Sequence, residues 1–224
     1  MPKIDCVQYS EESGCFIQNN GQAMQIINVA QYSDEWWNMR RGLPTASQFK
    51  RIVKGDGSPS TQRTAYLYEC AAARITGIYK DTYKSAAMQE GNDREALSRM
   101  IYAMEYEVAV DEVGFIVSEC GRWGASPDGL IGDDGVLELK NPEAHTHIGY
   151  LLKGALPSDY VQQVQGELFV AKRTWADFCS YSPKLPLFVL RVYRDDLFLD
   201  KLERALISFC EELDEVCAKI LKEA

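Results

Sequence analysis

Residues 126–140 read Ser-Pro-Asp-Gly-Leu-Ile-Gly-Asp-Asp-Gly-Val-Leu-Glu-Leu-Lys. Two β-rich runs, 122–131 and 136–140, flank the turn sequence Gly-Asp-Asp-Gly, which predicts a β-hairpin that turns near Asp133. Asp128 and Glu138 then lie on adjacent antiparallel strands at nearly the same level, where facing Cβ atoms are about 5 Å apart. Two carboxylates at that spacing can share one hard cation.

Lys140 follows Glu138 by two residues, so both side chains point to the same face of the second strand. The side chain of Leu139 between them turns to the core, and its carbonyl oxygen stays available as a further metal ligand. Phosphodiester hydrolysis needs this combination, because Mg²⁺ neutralises charge on the phosphate and activates a bound water that a lysine can position. An uneventful hairpin is the other interpretation, since such a pattern arises by chance in roughly one chain in ten.

The sequence around the hairpin predicts a mixed α/β fold in one domain, residues 1–224, with a central mixed sheet flanked by helices. We expect an amphipathic helix at 93–112, strands at 114–118, 122–131 and 136–140, a helix at 160–172, strands at 177–181 and 187–193, and a C-terminal helix. Upstream, residues 45–48 have a capping-box pattern that predicts a helix with Ser47 in its first turn.

The composition sets limits on the class of protein. The 224 residues are 46% apolar and carry a formal charge of −9, which counts against nucleic-acid binding, although net charge does not report where basic residues lie. The seven scattered cysteines contain no CxxC pair, so a disulfide framework or a zinc site is not expected. No run approaches the ~18 apolar residues of a membrane span and no signal sequence is evident, so we expect a cytoplasmic protein without membrane association.

Four motifs in order resemble the phage lambda exonuclease family, the YqaJ-type viral recombinases of the PD-(D/E)xK nuclease superfamily. Between about residues 33 and 170 they are Trp36-x-x-x-Arg40-x-Gly42-x-x-Thr45-Ala46-Ser47, Gly91-x-x-x-Glu95, Ser126-Pro127-Asp128-Gly129 with Glu138-Leu139-Lys140, and Tyr160-x-x-Gln163-x-Gln165. The expected order of helix, three strands, helix and strand is likewise similar to the αβββαβ core of restriction-endonuclease-like folds. Four ordered motifs are far more specific than any one of them.

The resemblance implies a role for each matching residue. Two Mg²⁺ ions, for which Mn²⁺ would substitute, would be held by Asp128, Glu138, the Leu139 carbonyl and, at the second ion, Glu95. Lys140 would orient the attacking water and Gln163 would assist it. The 5′-phosphate of the digested strand would be held by Arg40, Ser47 and Ser126, and an arginine fork and a hydroxyl near a helix N-terminus both suit a phosphate.

Other side chains have two interpretations each. Met88 occupies the place of an apolar wedge that splits the duplex end in the family, but packing against its own helix is an equal alternative. Tyr160 and Trp123 could stack on a frayed base, although burial is the commoner use of such rings. His145 and His147 lack a third ligand nearby, so a solvent-exposed loop is expected there in preference to a metal site.

The resemblance implies a Mg²⁺-dependent exonuclease that starts at double-stranded DNA ends, degrades the 5′-phosphorylated strand and leaves 3′ single-stranded DNA for phage-type recombination by strand annealing. It further implies a homotrimer, a single-strand-annealing partner protein and a phage or prophage gene expressed in a bacterial cytoplasm. A structure- or site-specific endonuclease could use the same catalytic residues. A non-catalytic DNA-end binding module is the remaining alternative, and a broken metal site would be its mark, whereas every expected position is filled here.

Overall fold

A computed structural model describes residues 6–9, 16–19, 24–78 and 86–223, of which 6–9, 16–19, 86–93 and 223 are described by backbone alone. The helices are α1 Asp34–Arg40, α2 Arg63–Thr76, α3 Ala86–Tyr106, α4 Ala144–Lys153, α5 Val161–Ala171 and α6 Asp196–Glu223, with 3₁₀ helices at Ala46–Arg51 and Ser158–Tyr160. The strands are β1 Cys6–Tyr9, β2 Phe16–Asn19, β3 Gln25–Ile27, β4 Phe115–Val117, β5 Gly124–Ala125, β6 Gly129–Ile131, β7 Gly135–Lys140, β8 Trp175–Ser180 and β9 Phe188–Tyr193. Among the described residues, none of the helices has the length and apolar character that a membrane crossing requires.

The central sheet has four strands in the order β6-β7-β8-β9. β6 and β7 form the predicted antiparallel hairpin, β7 and β8 run parallel, and β9 is antiparallel to β8. Parallel neighbours need a crossover connection, and α4 and α5 supply it between β7 and β8. A second sheet, β3-β4-β5, is antiparallel. The predicted mixed α/β fold with a mixed central sheet and flanking helices is therefore confirmed.

Strand β7 is buried on both faces and separates two clusters of apolar side chains. On one face Val136 packs into the larger cluster, to which α2, α5 and α6 contribute. On the other face Leu137 and Leu139 pack with Tyr102 of α3. Because side chains alternate along a strand, Glu138 lies on the Val136 face, toward α5, and Leu139 turns to the core as predicted.

Two predicted elements in front of the hairpin differ in the structure. The run at 122–131 is not one strand, since β5 belongs to the second sheet and β6 to the central sheet. Pro127 lies between them, and proline cannot donate to a strand ladder. The capping-box pattern at 45–48 begins a 3₁₀ helix and not an α-helix, and Thr45 makes no side-chain cap hydrogen bond.

The histidine segment is helical, so the exposed loop predicted there is wrong. His147 lies on α4 and is fully buried, with its Nδ1 at 2.7 Å from Ser180 Oγ and its Nε2 at 2.9 Å from the Pro186 carbonyl oxygen. The ring thus links α4 to Ser180 of β8 and to Pro186, so His147 has a structural role. Helix α3 also ends earlier than predicted, and Glu107, the residue after it, has a left-handed φ of 51°.

Candidate active site

The β6–β7 hairpin brings Asp128 beside the residues of β7. Gly129 pairs with Leu137 across the hairpin, so Asp128, one residue before β6, is level with Glu138. Its Oδ2 accepts a hydrogen bond of 2.6 Å from the Leu139 backbone N–H. Burial raises the pKa of Asp128 well above 3.8, and the carboxyl of Glu138 adds to the rise. The hairpin thus places two carboxyl groups side by side, as its sequence predicts.

Glu138 is 1% exposed, and the hydrogen bonds that it accepts from described residues all reach one of its two carboxylate oxygens. Its Oε1 accepts from Lys140 Nζ and, at 2.5 Å, from Gln163 Nε2 of α5. Its Oε2 is buried without a hydrogen-bond partner among the described residues. Burial by itself would lower the pKa of Lys140, but the carboxylates of Glu138 and Asp128 raise it above its ordinary value. Lys140 is therefore held as a charged ammonium beside Glu138.

Glu95 approaches the hairpin from α3. Its side chain is 18% exposed, and its Oε1 accepts a hydrogen bond of 2.9 Å from Arg99 Nη2, one turn along the helix. Burial raises the pKa of Glu95, Arg99 lowers it and Glu138 raises it. Glu95, Arg99 and Asp128 line one cavity, and Arg99 also donates to the backbone carbonyl of Asp128. The helix motif and the hairpin motif therefore meet at one site.

Glu167 belongs to this acidic group, although no motif singles it out. It lies on α5 one turn after Gln163, is 1% exposed, and accepts a hydrogen bond of 3.0 Å from Gln163 Nε2 on its Oε1. Its Oε2 is buried without a hydrogen-bond partner among the described residues. Burial raises its pKa well above 4.5, and Glu138 raises it further. The amide of Gln163 thus bridges two buried carboxyl groups.

The site suits a hard divalent cation. Its donors are carboxylate and carbonyl oxygens, and its carboxyl groups outnumber the two cations beside them, Lys140 and Arg99. Within the described part of the chain, no group of three or more His, Cys, Asp and Glu side chains is placed to hold a metal ion by itself. Mg²⁺ is commonly bound by one or two carboxylates, several waters and substrate phosphates, so an open oxygen site of this kind fits it.

A second cluster of polar side chains surrounds Ser126, which lies two residues before Asp128 in the chain. Ser126 Oγ accepts hydrogen bonds of 2.9 Å from Arg40 Nη1 and from Trp36 Nε1. Arg40 Nη2 also donates to Thr45 Oγ1 at 3.3 Å, and Thr45 Oγ1 lies 3.5 Å from Ser47 Oγ. The guanidinium of Arg40 stacks over the Trp36 ring at 4.1 Å. The structure therefore brings together Arg40, Ser47 and Ser126, and they are connected by Thr45, a residue of the motif that was not predicted to bind phosphate.

Tyr32 is another residue near the site that the sequence does not reveal. Together with Glu95, Arg99 and Asp128 it lines a cavity of about 470 Å³. Its φ of 67° is in the left-handed region, which a bulky side chain rarely adopts and which persists where surrounding structure fixes it. Its ring contacts Trp36 at 5.2 Å between centroids. Burial, with Glu95 and Asp128, raises its pKa to about 12, so its hydroxyl keeps its proton.

The remaining candidate residues have mixed outcomes. Tyr160 is half-buried, with its ring 5.2 Å from Lys140 Nζ and 5.2 Å from the Phe178 ring, so it borders the site. Trp123 is buried and stacked on Phe169, so it does not serve as an exposed stacking platform. Met88 falls outside the described side chains, and the wedge role stays a prediction.

Comparisons with known proteins show the family and the fold. A family model described as the YqaJ-like viral recombinase domain matches residues 35–174, which include all four motifs. An alkaline exonuclease from Laribacter hongkongensis (LHK-Exo) is 33% identical over 85% of this chain and 97% of that chain, with a TM-score of 0.78, and its complex with dAMP gives 0.77. A phage related exonuclease from Haemophilus somnus 129PT, 13% identical over 80% of this chain and 96% of that one, shares the fold with a TM-score of 0.65. Comparison with curated protein sequences gave no match.

Fold, site and comparisons together define the class of protein as a deoxyribonuclease with a restriction-endonuclease-like core. More narrowly, the chain belongs to the YqaJ-like viral recombinase domain family, in agreement with the resemblance to the lambda exonuclease family.

Proposed function

We propose that this nuclease is a Mg²⁺-dependent 5′-to-3′ exonuclease of the PD-(D/E)xK type, which acts on double-stranded DNA ends and leaves 3′ single-stranded DNA. The observation that carries this proposal is the short connection between the acidic site and the Arg40 cluster. Ser126 and Asp128 are two residues apart, so their Cα atoms are at most about 7 Å apart. That separation suits two consecutive phosphates of one strand.

The acidic site would bind the scissile phosphate and the metal. Asp128, Glu138 and the Leu139 carbonyl would hold one Mg²⁺, Glu95 would support a second, and Mn²⁺ would substitute for either. When bound, such ions neutralise phosphate charge and lower the pKa of a bound water. Lys140, charged and fixed against Glu138, would orient that water by donating a hydrogen bond.

Gln163 would hold the carboxylate of Glu138 in place, because its amide already donates to Glu138 Oε1. Its partner Glu167 fixes the amide from the other side. Tyr160 would then face the DNA from beside Lys140. Each of these roles uses a contact that exists before substrate binds, so the site requires little rearrangement.

The Arg40 cluster would bind the terminal 5′-phosphate. Arg40 offers a planar guanidinium, and Ser47, Thr45 and Ser126 offer hydroxyl donors beside it. Charge-assisted hydrogen bonds of this type are the strong ones in proteins. A bound terminal phosphate would place the next phosphodiester bond at Asp128 and Glu138. The LHK-Exo structure with dAMP supports this view, since a deoxynucleoside monophosphate is the product when one terminal nucleotide is released.

The wider proposal follows the family. The chain would act as one nuclease domain over residues 1–224, assemble into a closed homotrimer, and deliver 3′ single strands to a single-strand-annealing protein during phage-type recombination. It would do so in a bacterial cytoplasm, expressed from a phage or prophage gene.

The test uses linear duplex DNA labelled separately at each 5′ and each 3′ end, with Mg²⁺, Ca²⁺ or chelator present, and closed circular duplex in parallel. We expect Mg²⁺-dependent early release of the 5′ labels, retention of the 3′ labels on strands that shorten progressively, and no attack on circles. Cleavage of circles would favour the endonuclease alternative. DNA-end binding without cleavage in Mg²⁺ or Mn²⁺ would favour the binding module.

A further inference from the structure

Arg99 connects the helix motif of the site to its hairpin motif. Its side chain is 12% exposed, and its Nε donates a hydrogen bond of 3.0 Å to the backbone carbonyl of Asp128. Its Nη2 donates to Glu95 Oε1 at 2.9 Å, and its Nη1 pairs with Glu112 Oε1 at 2.8 Å. Each of its three nitrogens therefore has an acceptor, on three different segments of the chain.

The guanidinium group suits this task because it is planar and its donors diverge at fixed angles. An ammonium group in its place has freely rotating donors on a flexible stem and cannot fix two acceptors relative to each other. Arg99 and Asp128 are 29 positions apart in the chain, so nothing in the local sequence holds α3 at a set distance from the start of β6. The packing of Tyr102 on Leu137 and Leu139 holds α3 against the hairpin, and the two contacts of Arg99 tie Glu95 to Asp128 within that packing.

We propose that Arg99 is a positioning residue that sets the spacing between Glu95 and Asp128 and thereby the affinity of the site for divalent cations. This inference rests on the proposed function, in which both carboxylates act toward Mg²⁺. Arg99 would act through these residues, since a cation does not ligate a metal. Loss of an outer partner of a metal ligand typically costs about 10–100-fold in metal affinity or activity.

Isothermal titration of Ca²⁺ and Mn²⁺ into the protein without DNA tests the proposal directly. We expect Arg99→Gln to bind both ions about tenfold more weakly than the wild type or worse. Arg99→Lys should fall between the two, because one ammonium can retain only part of the contacts. In digestion assays the Mg²⁺ concentration for half-maximal rate should rise by a similar factor, while the KM for DNA at saturating metal should stay the same.

Two control variants separate positioning from general damage. Tyr102 lies on α3, as Arg99 does, but outside the site, and Tyr102→Phe removes its 2.6 Å hydrogen bond to Asp177 of β8. This variant should lower the unfolding temperature without changing cation affinity. Glu112→Gln removes the partner that is 72% exposed and should leave cation affinity nearly unchanged, because the contacts to Glu95 and Asp128 persist.

Failure of the proposed function and failure of the Arg99 role give different results. If the wild type binds neither cation, the proposed function and the role of Arg99 both fail. If the wild type binds cations and folded Arg99→Gln and Arg99→Lys bind them equally well, only the role of Arg99 fails. A higher KM for DNA with unchanged cation affinity would make Arg99 a substrate contact and would also overturn the positioning role. Should Arg99→Gln not fold, the graded loss expected of Arg99→Lys decides the question.

Discussion

Glu167 combines a chargeable side chain with almost complete burial. Burying a carboxylate is costly unless hydrogen bonds or a cation compensate it, and here one oxygen has a partner while Oε2 has none among the described residues. The pKa of Glu167 is accordingly raised by burial and by Glu138, and those of Asp128 and Glu95 are raised in the same direction. Without a bound metal ion, the folded site therefore favours the protonated form of these carboxyl groups.

This arrangement predicts that the metal-free protein loses stability as the pH rises. A carboxyl whose folded pKa lies above its unfolded value near 4.5 stabilises the fold below that pH, and the contribution is lost as the pH rises through the folded pKa. Glu167→Gln should weaken this dependence and, at about pH 8 in chelator, exceed the wild type in unfolding free energy by about 1–3 kcal/mol. Urea unfolding across the pH range measures it. If the stability of Glu167→Gln depends on pH as that of the wild type does, the carboxyl of Glu167 is not a source of this pH dependence.

Arg40 makes a prediction about the 5′ end. A terminal phosphate would gain charge-assisted hydrogen bonds worth about 1.5–3 kcal/mol each, so 5′-phosphorylated duplex should be digested roughly tenfold faster or more than 5′-hydroxyl duplex. Arg40→Ala should shrink this difference, and Arg40→Lys should restore it only partly. Arg41→Ala is the matched control, since Arg41 pairs with Asn38 and is absent from the cluster. Equal rates on both ends with wild-type protein would contradict the phosphate pocket.

At the scale of elements, α5 holds one side of the site against the 3₁₀ helix Ala46–Arg51. Gly166 is the contact point, because a Cβ built there would lie 2.5 Å from Phe49 Cδ2 and 3.3 Å from Ala46 Cβ. Phe49 is fully buried and cannot move aside cheaply. The glycine therefore permits the close approach that sets Gln163 and Glu167 beside β7.

Gly166→Ala should consequently destabilise the protein by about 1–3 kcal/mol, through overpacking, although alanine is the better helix former. It should also slow DNA digestion, because α5 carries Gln163. Gly149→Ala on α4 is the control, since no neighbouring atom lies within 4 Å of its added Cβ, and it should be neutral or stabilising by up to about 1 kcal/mol. Chemical denaturation of both variants measures the effect. A Gly166→Ala protein as stable as Gly149→Ala would show that the packing is not tight.

The sequence predicts local elements better than it predicts burial. The hairpin and the pairing of Asp128 with Glu138 follow from a turn sequence and a period of two, which are local signals. Glu167 was missed because a glutamate in a helix usually faces water, and only tertiary packing of α5 buries it. Tyr32 was missed because a left-handed φ at tyrosine has no sequence signature. Helix α4 was missed although its apolar side chains follow a helical period, because only the two histidines of that segment were weighed.

At the scale of the whole molecule, a formal charge of −9 has to coexist with DNA binding. Nucleic-acid affinity depends on local Lys and Arg clusters, and a closed ring can collect such clusters around one channel while acidic residues face outward. The proposed homotrimer would be such a ring, with cyclic symmetry.

Light scattering should therefore give a mass near three times 25.3 kDa, independent of concentration over the range used for activity. A closed ring would retain the protein on DNA, so digestion by the assembled form should be processive. A chain that stays strictly monomeric while it degrades DNA processively would contradict the ring.

The hydrolytic role proposed for the hairpin is tested most directly by one rate measurement on 5′-phosphorylated linear duplex in Mg²⁺, comparing wild type, Glu138→Ala and Glu119→Ala. Glu119 pairs with Lys172 on the exposed surface and serves as the control. We expect Glu119→Ala to digest DNA at the wild-type rate, and Glu138→Ala to be folded, able to bind DNA in Ca²⁺ and inactive in Mg²⁺. Substantial Mg²⁺-dependent digestion by Glu138→Ala would show that Asp128, Glu138 and Lys140 are not the catalytic centre.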